Sequence, residues 1–306
     1  MKVAIIGAGD VGASAGQRIA EANLADVCFL DIVQGKTDAL ALDLSSAASI
    51  VRHCRCITAT ADYRDIAGAD IVVLTAGRTR KPGQSREDLL LDNAGIVKDI
   101  SQKLAQYCPE AIVIVVTNPL DAMTFLTLKT TGFKPKQVIG MGGVSDCARF
   151  NMLLAAELNT ASYYIQSIII GAHADNMLIL PRLTTVLGIP IAELLPEDRI
   201  KRVIADTRNF GARIVKLLGT GSAYFGPSAG IFLLVDSIVN DRKSILCASV
   251  YLCGQYGLED LCLGAAVKVG RGGIEEILQL KLSEEEKKAY LSSAKEVKDL
   301  IKKLGV

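Results

Sequence analysis

The chain contains two histidines, and one of them, His173, lies in Gly171-Ala172-His173-Ala174-Asp175 directly after the apolar run Ile168-Ile169-Ile170. An imidazole at the end of a strand suits proton transfer near neutral pH, and it is also a common structural residue. Two other positions bear on the choice. Asp146 and Arg149, three residues apart in Ser145-Asp146-Cys147-Ala148-Arg149, share one face of a helix start. Such a pair is either a surface ion pair of little worth or a carboxylate that orients an imidazole beside a guanidinium that forks a substrate carboxylate. Asn118, in Val116-Thr117-Asn118-Pro119, ends a strand signal, where open α/β sheets bind ligands.

A second group of residues suits a dinucleotide. The strand signal Lys2-Val3-Ala4-Ile5-Ile6 runs straight into Gly7-Ala8-Gly9-Asp10-Val11-Gly12. GxGxxG spacing alone is weak evidence. Between a strand and a helix it permits a tight turn and lets a pyrophosphate approach backbone N–H groups at the helix N-terminus. The next strand signal ends in Phe29-Leu30-Asp31, a carboxylate about twenty residues further on that would accept from ribose hydroxyls and repel a 2′-phosphate. No Arg directly follows Asp31 and Lys36 is the nearest cation, so NAD is expected rather than NADP. A nicotinamide cradle and an acid–base histidine together describe hydride transfer to or from an alcohol carbon.

The third group is cationic. Residues 75–88 pack Arg78, Arg80, Lys81 and Arg86 into one short segment. Lys+Arg of 34 against Asp+Glu of 33 leave a net charge of +1, so no general field gathers nucleic acid or an anionic membrane. The cluster is either a solvated loop or a local anion site.

The elements that must hold these residues follow from periodicity. Apolar runs at 3–6, 27–30, 56–60, 71–75, 111–116 and 137–141 are mostly continuous, which marks strands buried on both faces. Helical patterns at 12–23, 36–48, 85–107 and 119–131 alternate with them, as a parallel sheet with crossover helices requires. The expected fold is α/β, a Rossmann-type doubly wound parallel sheet with a second, α+β substrate domain. The division is expected at 1–144 and 145–306, because from about residue 145 the pattern changes to a helix (146–158), an apolar strand (165–170), further short strands and long helices. Ser283 followed three residues later by Glu286 is a capping-box signature for a C-terminal amphipathic helix.

At 306 residues with 50% hydrophobic and 22% charged residues, the chain can bury a large core. The eight cysteines are scattered, several within apolar runs, and read as reduced thiols of a cytoplasmic protein. His53-Cys54-Arg55-Cys56 lacks a second cluster with zinc spacing, so no metal is expected and an edge strand is. The N-terminus has no signal-peptide pattern, and the longest apolar stretch, 111–128, is interrupted by Asn118, Pro119 and Asp121, so no membrane association is expected.

The stretches "GAGDVG", "FLDI", "RKPGQSR", "VTNPLDAMT", "SDCARF", "GAHAD" and "TGSAYFGP" stand in the order and near the spacing found in the lactate/malate dehydrogenase superfamily. Over nearly its full length the chain resembles the malate dehydrogenase branch with lactate-dehydrogenase-like architecture. The resemblance implies reversible oxidation of malate to oxaloacetate with NAD. It makes His173 the general acid/base, Asp146 its partner, Arg149 the binder of the C1 carboxylate, and Arg86 the stabiliser of charge on the ketone oxygen. Asn118 would contact substrate and cofactor. Gly7, Ala8, Gly9, Asp10, Val11, Gly12, Asp31, Asn93, Val116 and Thr117 would form the rest of the cofactor site. The cationic segment would be a lid, with Arg80 on the distal carboxylate where lactate dehydrogenases carry an uncharged residue; Arg78 and Lys81 remain solvated lid residues.

The chain departs from the pattern at six positions in three motifs. Alanines stand at 172 and 174 where the family has glycine, and positive φ at residue 174 would cost Ala174 on the order of 1 kcal/mol. Arg78-Thr79 replaces an apolar residue and proline, and Ser145 and Cys147 replace Leu and Ser. Two other readings stand beside the leading one: a dehydrogenase of another 2-hydroxy acid such as lactate, against which Arg80 and the small Ala223 argue, and a non-catalytic NAD-binding relative, whose mark would be loss of the catalytic groups. Mean hydropathy of +0.33 and the apolar helix 227–239 suggest surplus apolar surface, and the resemblance implies a homodimer or homotetramer.

Overall fold

The continuous apolar runs of the first half form strands because only a site covered on both faces suits them. The computed structural model describes residues 1–78 and 86–305, with Arg86 and Glu87 described by their place in a helix alone. In chain order it runs β1 (Lys2–Ile6), α1 (Asp10–Glu21), β2 (Asp26–Leu30), α2 (Gln34–Val51), β3 (Ile57–Thr60), β4 (Ile71–Leu74), α3 (Arg86–Tyr107), β5 (Ile112–Val115), α4 (Leu120–Thr131), β6 (Val138–Gly140) and α5 (Gly143–Leu158). All pairings among β1 to β6 are parallel, in the order β6-β5-β4-β1-β2-β3. Crossovers therefore leave β1 in opposite directions, and a crevice opens beyond the carboxyl ends of β1 and β4. The site expected from sequence lies on the loops at that end.

The second half continues with β7 (Ile165–Gln166), β8 (Ile169–Ile170), β9 (Leu178–Ile179), β10 (Thr185–Val186), β11 (Ile189–Pro190), α6 (Ile191–Leu194), α7 (Glu197–Leu218), α8 (Phe225–Val239), β12 (Ser244–Cys253), β13 (Glu259–Gly270), β14 (Gly273–Leu278) and α9 (Glu284–Leu304). The single strand expected over 165–170 is divided. β7 pairs with β10 and β8 with β9, in two different small sheets. Asn151 of α5 holds the join, donating to the Ile165 carbonyl at 3.1 Å and accepting from Ser167 Oγ at 2.6 Å.

The long antiparallel strands β12, β13 and β14 are not confined to a separate sheet. β12 meets β6 at Ser249 and Gly140, and the described residues form one nine-stranded sheet. A second, smaller apolar cluster around Phe150, Leu154, Ile169, Ile179 and Val203 packs α5 and α7 against the short strands. The expected capping box closes α9: Ser283 Oγ accepts from the Glu286 N–H at 3.2 Å, and Glu286 Oε2 accepts from the Ser283 N–H at 2.8 Å. Tyr290, Ala294, Val297 and Ile301 then face the body of the protein. The edge strand expected near His53 is β3, which begins at Ile57; His53–Cys56 is the loop leading into it.

Candidate active site

The loops at the carboxyl ends of β1, β4 and β5 are tied to one another before any ligand is considered. Gly7 has φ of 103°, and a side chain there would strike the Ala76 backbone, so the turn after β1 sits directly on the chain leaving β4. Thr75 Oγ1 donates to the Gly7 carbonyl at 2.7 Å, and Thr117 Oγ1 donates to the Ala76 carbonyl at 2.6 Å. Asn93, fully buried on α3, completes the lacing: its Oδ1 accepts from the Arg78 N–H at 2.7 Å and its Nδ2 donates to the Asn118 carbonyl at 2.7 Å. Asn93 thus stands behind the cleft and shapes it through backbone, while Val11, Val116, Thr117 and Asn118 line it.

Asp31 belongs to the same arrangement. Its Oδ2 accepts from the Ala8 N–H at 2.7 Å and its Oδ1 from the Val33 N–H at 3.1 Å. The carboxylate therefore orders the glycine turn and keeps further lone pairs for ribose hydroxyls. Above Gly9 there is open space where a side chain would otherwise stand, next to the start of α1 with its unsatisfied N–H groups. This donor set fits a dinucleotide pyrophosphate and an unphosphorylated ribose.

The His173–Asp146 pair is assembled from two distant segments. Asp146 stands in the first turn of α5, 2% exposed, and its Oδ2 lies 2.7 Å from His173 Nδ1. Asp146 Oδ1 accepts from Arg149 Nη1 at 3.3 Å, and the Arg149 guanidinium lies over the Phe210 ring of α7 at 5.9 Å from its centroid. An ionised carboxylate only accepts, so Nδ1 of His173 carries hydrogen and Nε2 of the neutral ring keeps its lone pair. Burial is the largest influence on the imidazole and favours its neutral form. The charge of Asp146 and its hydrogen bond oppose that, Arg149 sides with burial, Asp121 sides with Asp146, and the pKa of His173 is raised above its ordinary value.

The alanines flanking the histidine are not strained. Gly171 takes positive φ (85°), whereas Ala172 and Ala174 do not, so the cost considered above for residue 174 does not arise. Three successive residues are anchored to three separate elements: Gly171 pairs with Gly264 of β13, the Ala172 N–H donates to Ser293 Oγ of α9 at 2.7 Å, and the His173 N–H donates to Asp121 Oδ2 at 2.8 Å.

His173, Arg149, Asn118 and Ser145 open on one cleft of about 420 Å³, together with Ala223 and Pro227 from the α7–α8 connection and the start of α8. A larger depression of about 640 Å³ lies at the other end of the sheet, around Met1, Asp70, Lys136 and Arg271. Its charged side chains are exposed and no buried carboxylate–imidazole pair is among its described lining residues, so chemistry and not size singles out the smaller cleft as the candidate. Arg80, and the side chain of Arg86, lie outside the described residues. Sequence reading passed over Asp121, Ser249, Ser293 and Phe210. Asp121 alone left a signal, a carboxylate in the first turn of a helix otherwise buried from Leu120 through Leu128.

Residues 1–140 match the family described as lactate/malate dehydrogenase, NAD binding domain, and residues 145–305 match lactate/malate dehydrogenase, alpha/beta C-terminal domain. A malate dehydrogenase of Chloroherpeton thalassium is 46% identical over 306 residues, covering 100% of this chain and 99% of the relative. One of Methanosarcina acetivorans is 46% identical over 305 residues with the same coverage. Among solved structures, apo malate dehydrogenase from Picrophilus torridus superposes with a TM-score of 0.96 at 38% identity, covering 99% and 97% of the two chains. The lactate dehydrogenase of Cryptosporidium parvum, complexed with lactic acid and nicotinamide adenine dinucleotide, also reaches 0.96, at 31% identity and 99% and 98% coverage. Backbone shape therefore does not separate the two activities.

Proposed function

The chain belongs to the lactate/malate dehydrogenase family, and we propose that it interconverts malate and oxaloacetate with NAD as the hydride partner. The observation that carries the reading is the His173–Asp146 pair, 2.7 Å apart, opening on a cleft that Arg149 also lines. Neutral His173 takes the proton of the substrate hydroxyl at Nε2, and Asp146 stabilises the imidazolium that results. In the reverse direction the imidazolium donates that proton to the carbonyl oxygen. Arg149, held against Phe210 and Asp146, presents its guanidinium to the C1 carboxylate. Asn118 orients the substrate oxygen from the end of β5.

NAD, when bound, supplies the hydride acceptor. Residues Gly7–Gly12 would hold its pyrophosphate and Asp31 its ribose, with Val116 and Thr117 beneath the nicotinamide half. From sequence, Arg80 is assigned to the distal carboxylate and Arg86 to the carbonyl oxygen. Residues 1–144 would then carry the cofactor, and 145–306 the acid–base pair and most of the substrate contacts. Arg80 and the 46% identity to malate dehydrogenases favour the diacid over lactate.

Two coarser inferences accompany this one. All eight cysteines are free, which suits a reducing compartment such as the cytoplasm; no described helix is long and apolar enough to cross a membrane. Among its described neighbours α2 buries just Thr37 and Ala41, leaving Leu42 at 73% and Ile50 at 81% exposure, which supports at least a homodimer through that face. An absorbance assay of NADH with oxaloacetate and pyruvate tests the reaction: oxaloacetate is expected to be used at least about a hundredfold more efficiently, and equal rates defeat the assignment. Light scattering at micromolar concentration tests the assembly, and a mass near the 32.6 kDa of one chain defeats it.

A further inference from the structure

Asp121 is a buried carboxylate that the mechanism above does not use. It is 5% exposed, and both oxygens are occupied: Oδ2 accepts from the His173 backbone N–H at 2.8 Å, and Oδ1 accepts from Ser249 Oγ at 2.6 Å. The three residues are 52 and 128 positions apart and come from the first turn of α4, the loop after β8, and β12. A carboxylate removed from water is costly unless it is hydrogen-bonded and electrostatically compensated. Burial pushes the Asp121 carboxyl above its ordinary pKa, while the bonds from Ser249 and the His173 N–H and the charge of His173 favour its ionised form, and the question is what compensates that charge.

The titratable groups that face Asp121 are His173 from its loop, Asp146 from α5, Cys262 from β13 and Tyr290 from α9. Asp146 is a second carboxylate and offers no cation, and the thiol and phenol, both shifted upward by burial, stay neutral. His173 alone among these becomes a cation, and it does so at the step where it holds the substrate's proton. The groups facing His173 in turn are Asp146 and Arg149 of α5 and Asp121 of α4, so the imidazolium lies among two carboxylates and one guanidinium.

We propose that Asp121 is a positioning residue for proton transfer: through the His173 backbone N–H, with Ser249 as its own anchor, it fixes the loop that aims the imidazole and sets a second negative charge beside it. The inference rests on the reading of His173 as the acid/base. It assigns Asp121 two separable effects, one geometric and one electrostatic. D121N separates them, because the amide oxygen still accepts from the His173 N–H and the amide NH2 faces Ser249 Oγ, which accepts after rotation. D121A removes both effects.

With two histidines in the chain, isotope-labelled histidine gives two imidazole signals by NMR, and His53, on the α2–β3 connection, serves as an internal reference. D121N is expected to lower the titration midpoint of His173 by roughly half to one pH unit, with the midpoint of the pH–kcat/KM profile moving in parallel. D121A is expected to lower kcat by at least about tenfold with the NADH dissociation constant held within about twofold, as for loss of aim and not of cofactor binding. S249A, which keeps the charge but removes its anchor, should lower kcat while leaving the His173 midpoint closer to wild type than D121N does. An unmoved His173 signal in folded D121N overturns the proposal even if oxaloacetate is reduced normally. A shifted signal in a protein that never reduces oxaloacetate upholds it and defeats the functional reading instead.

Discussion

The substitution Asp146→Asn tests the catalytic geometry most directly, because the two nitrogen partners of this carboxylate, Arg149 and His173, dictate how an amide would sit. Arg149 has donors only, so it draws the new amide oxygen to itself and turns the NH2 group toward His173 Nδ1. Nδ1 must then accept, the neutral ring carries its hydrogen on Nε2, and the lone pair meant for the substrate proton is gone. The charge-assisted bond at 2.7 Å contributes roughly 1.5–3 kcal/mol, and correcting the tautomer adds a comparable amount. A total of about 3–6 kcal/mol corresponds to a fall in kcat/KM of at least roughly 10² and up to somewhat more than 10⁴.

The pH dependence carries further information. With Asp146 gone, burial and Arg149 act on the imidazole with Asp121 alone opposing them, so its raised pKa must fall. Malate oxidation needs the neutral ring and oxaloacetate reduction the protonated one, so in the wild type oxidation declines as pH drops through the His173 midpoint and reduction declines as pH rises through it. In the variant both profiles move to lower pH, and the loss shrinks on the acid side by the size of that shift, equally in both directions. Steady-state rates from pH 5 to 9, with NAD and malate and with NADH and oxaloacetate, measure this. A loss below tenfold, or one independent of pH, would refute the assignment of Asp146 to the imidazolium.

Three further outcomes are expected. Asp31→Ser should narrow the preference for NADH over NADPH and also weaken NADH itself, since Asp31 holds the Ala8 N–H; an unchanged ratio of dissociation constants would remove Asp31 from ribose recognition. Arg80→Gln should lower kcat/KM for oxaloacetate more than about a hundredfold while pyruvate holds or improves, and an equal fall for both substrates would assign Arg80 to something other than the distal carboxylate. A thiol reagent should label exposed Cys54, Cys56 and Cys253 in the native protein and reach Cys28, Cys108, Cys247 and Cys262 after unfolding; mass spectrometry showing rapid native labelling of the second group would contradict their burial.

What sequence alone determined was whatever depends on neighbouring residues. The six parallel strands, the glycine turn, the N-terminal capping box of α9 and the chemical capacity of His173, Asp146 and Arg149 were legible because apolar period, turn chemistry and functional groups are properties of short segments. Tertiary structure decided what depends on distant ones. That β12 would dock on β6 and extend the sheet, and that 165–170 would split between two sheets, follows from which edges and side chains meet after folding, and no local period encodes it. The same holds for the conformation of Ala174, which family comparison made suspect and the fold leaves at ordinary φ. The anchoring of Gly171, Ala172 and His173 by β13, α9 and α4 joins residues 93, 121 and 52 positions apart. A histidine's chemistry is thus local, but its aim and its proton affinity are set by charges and donors that only a closed chain brings beside it.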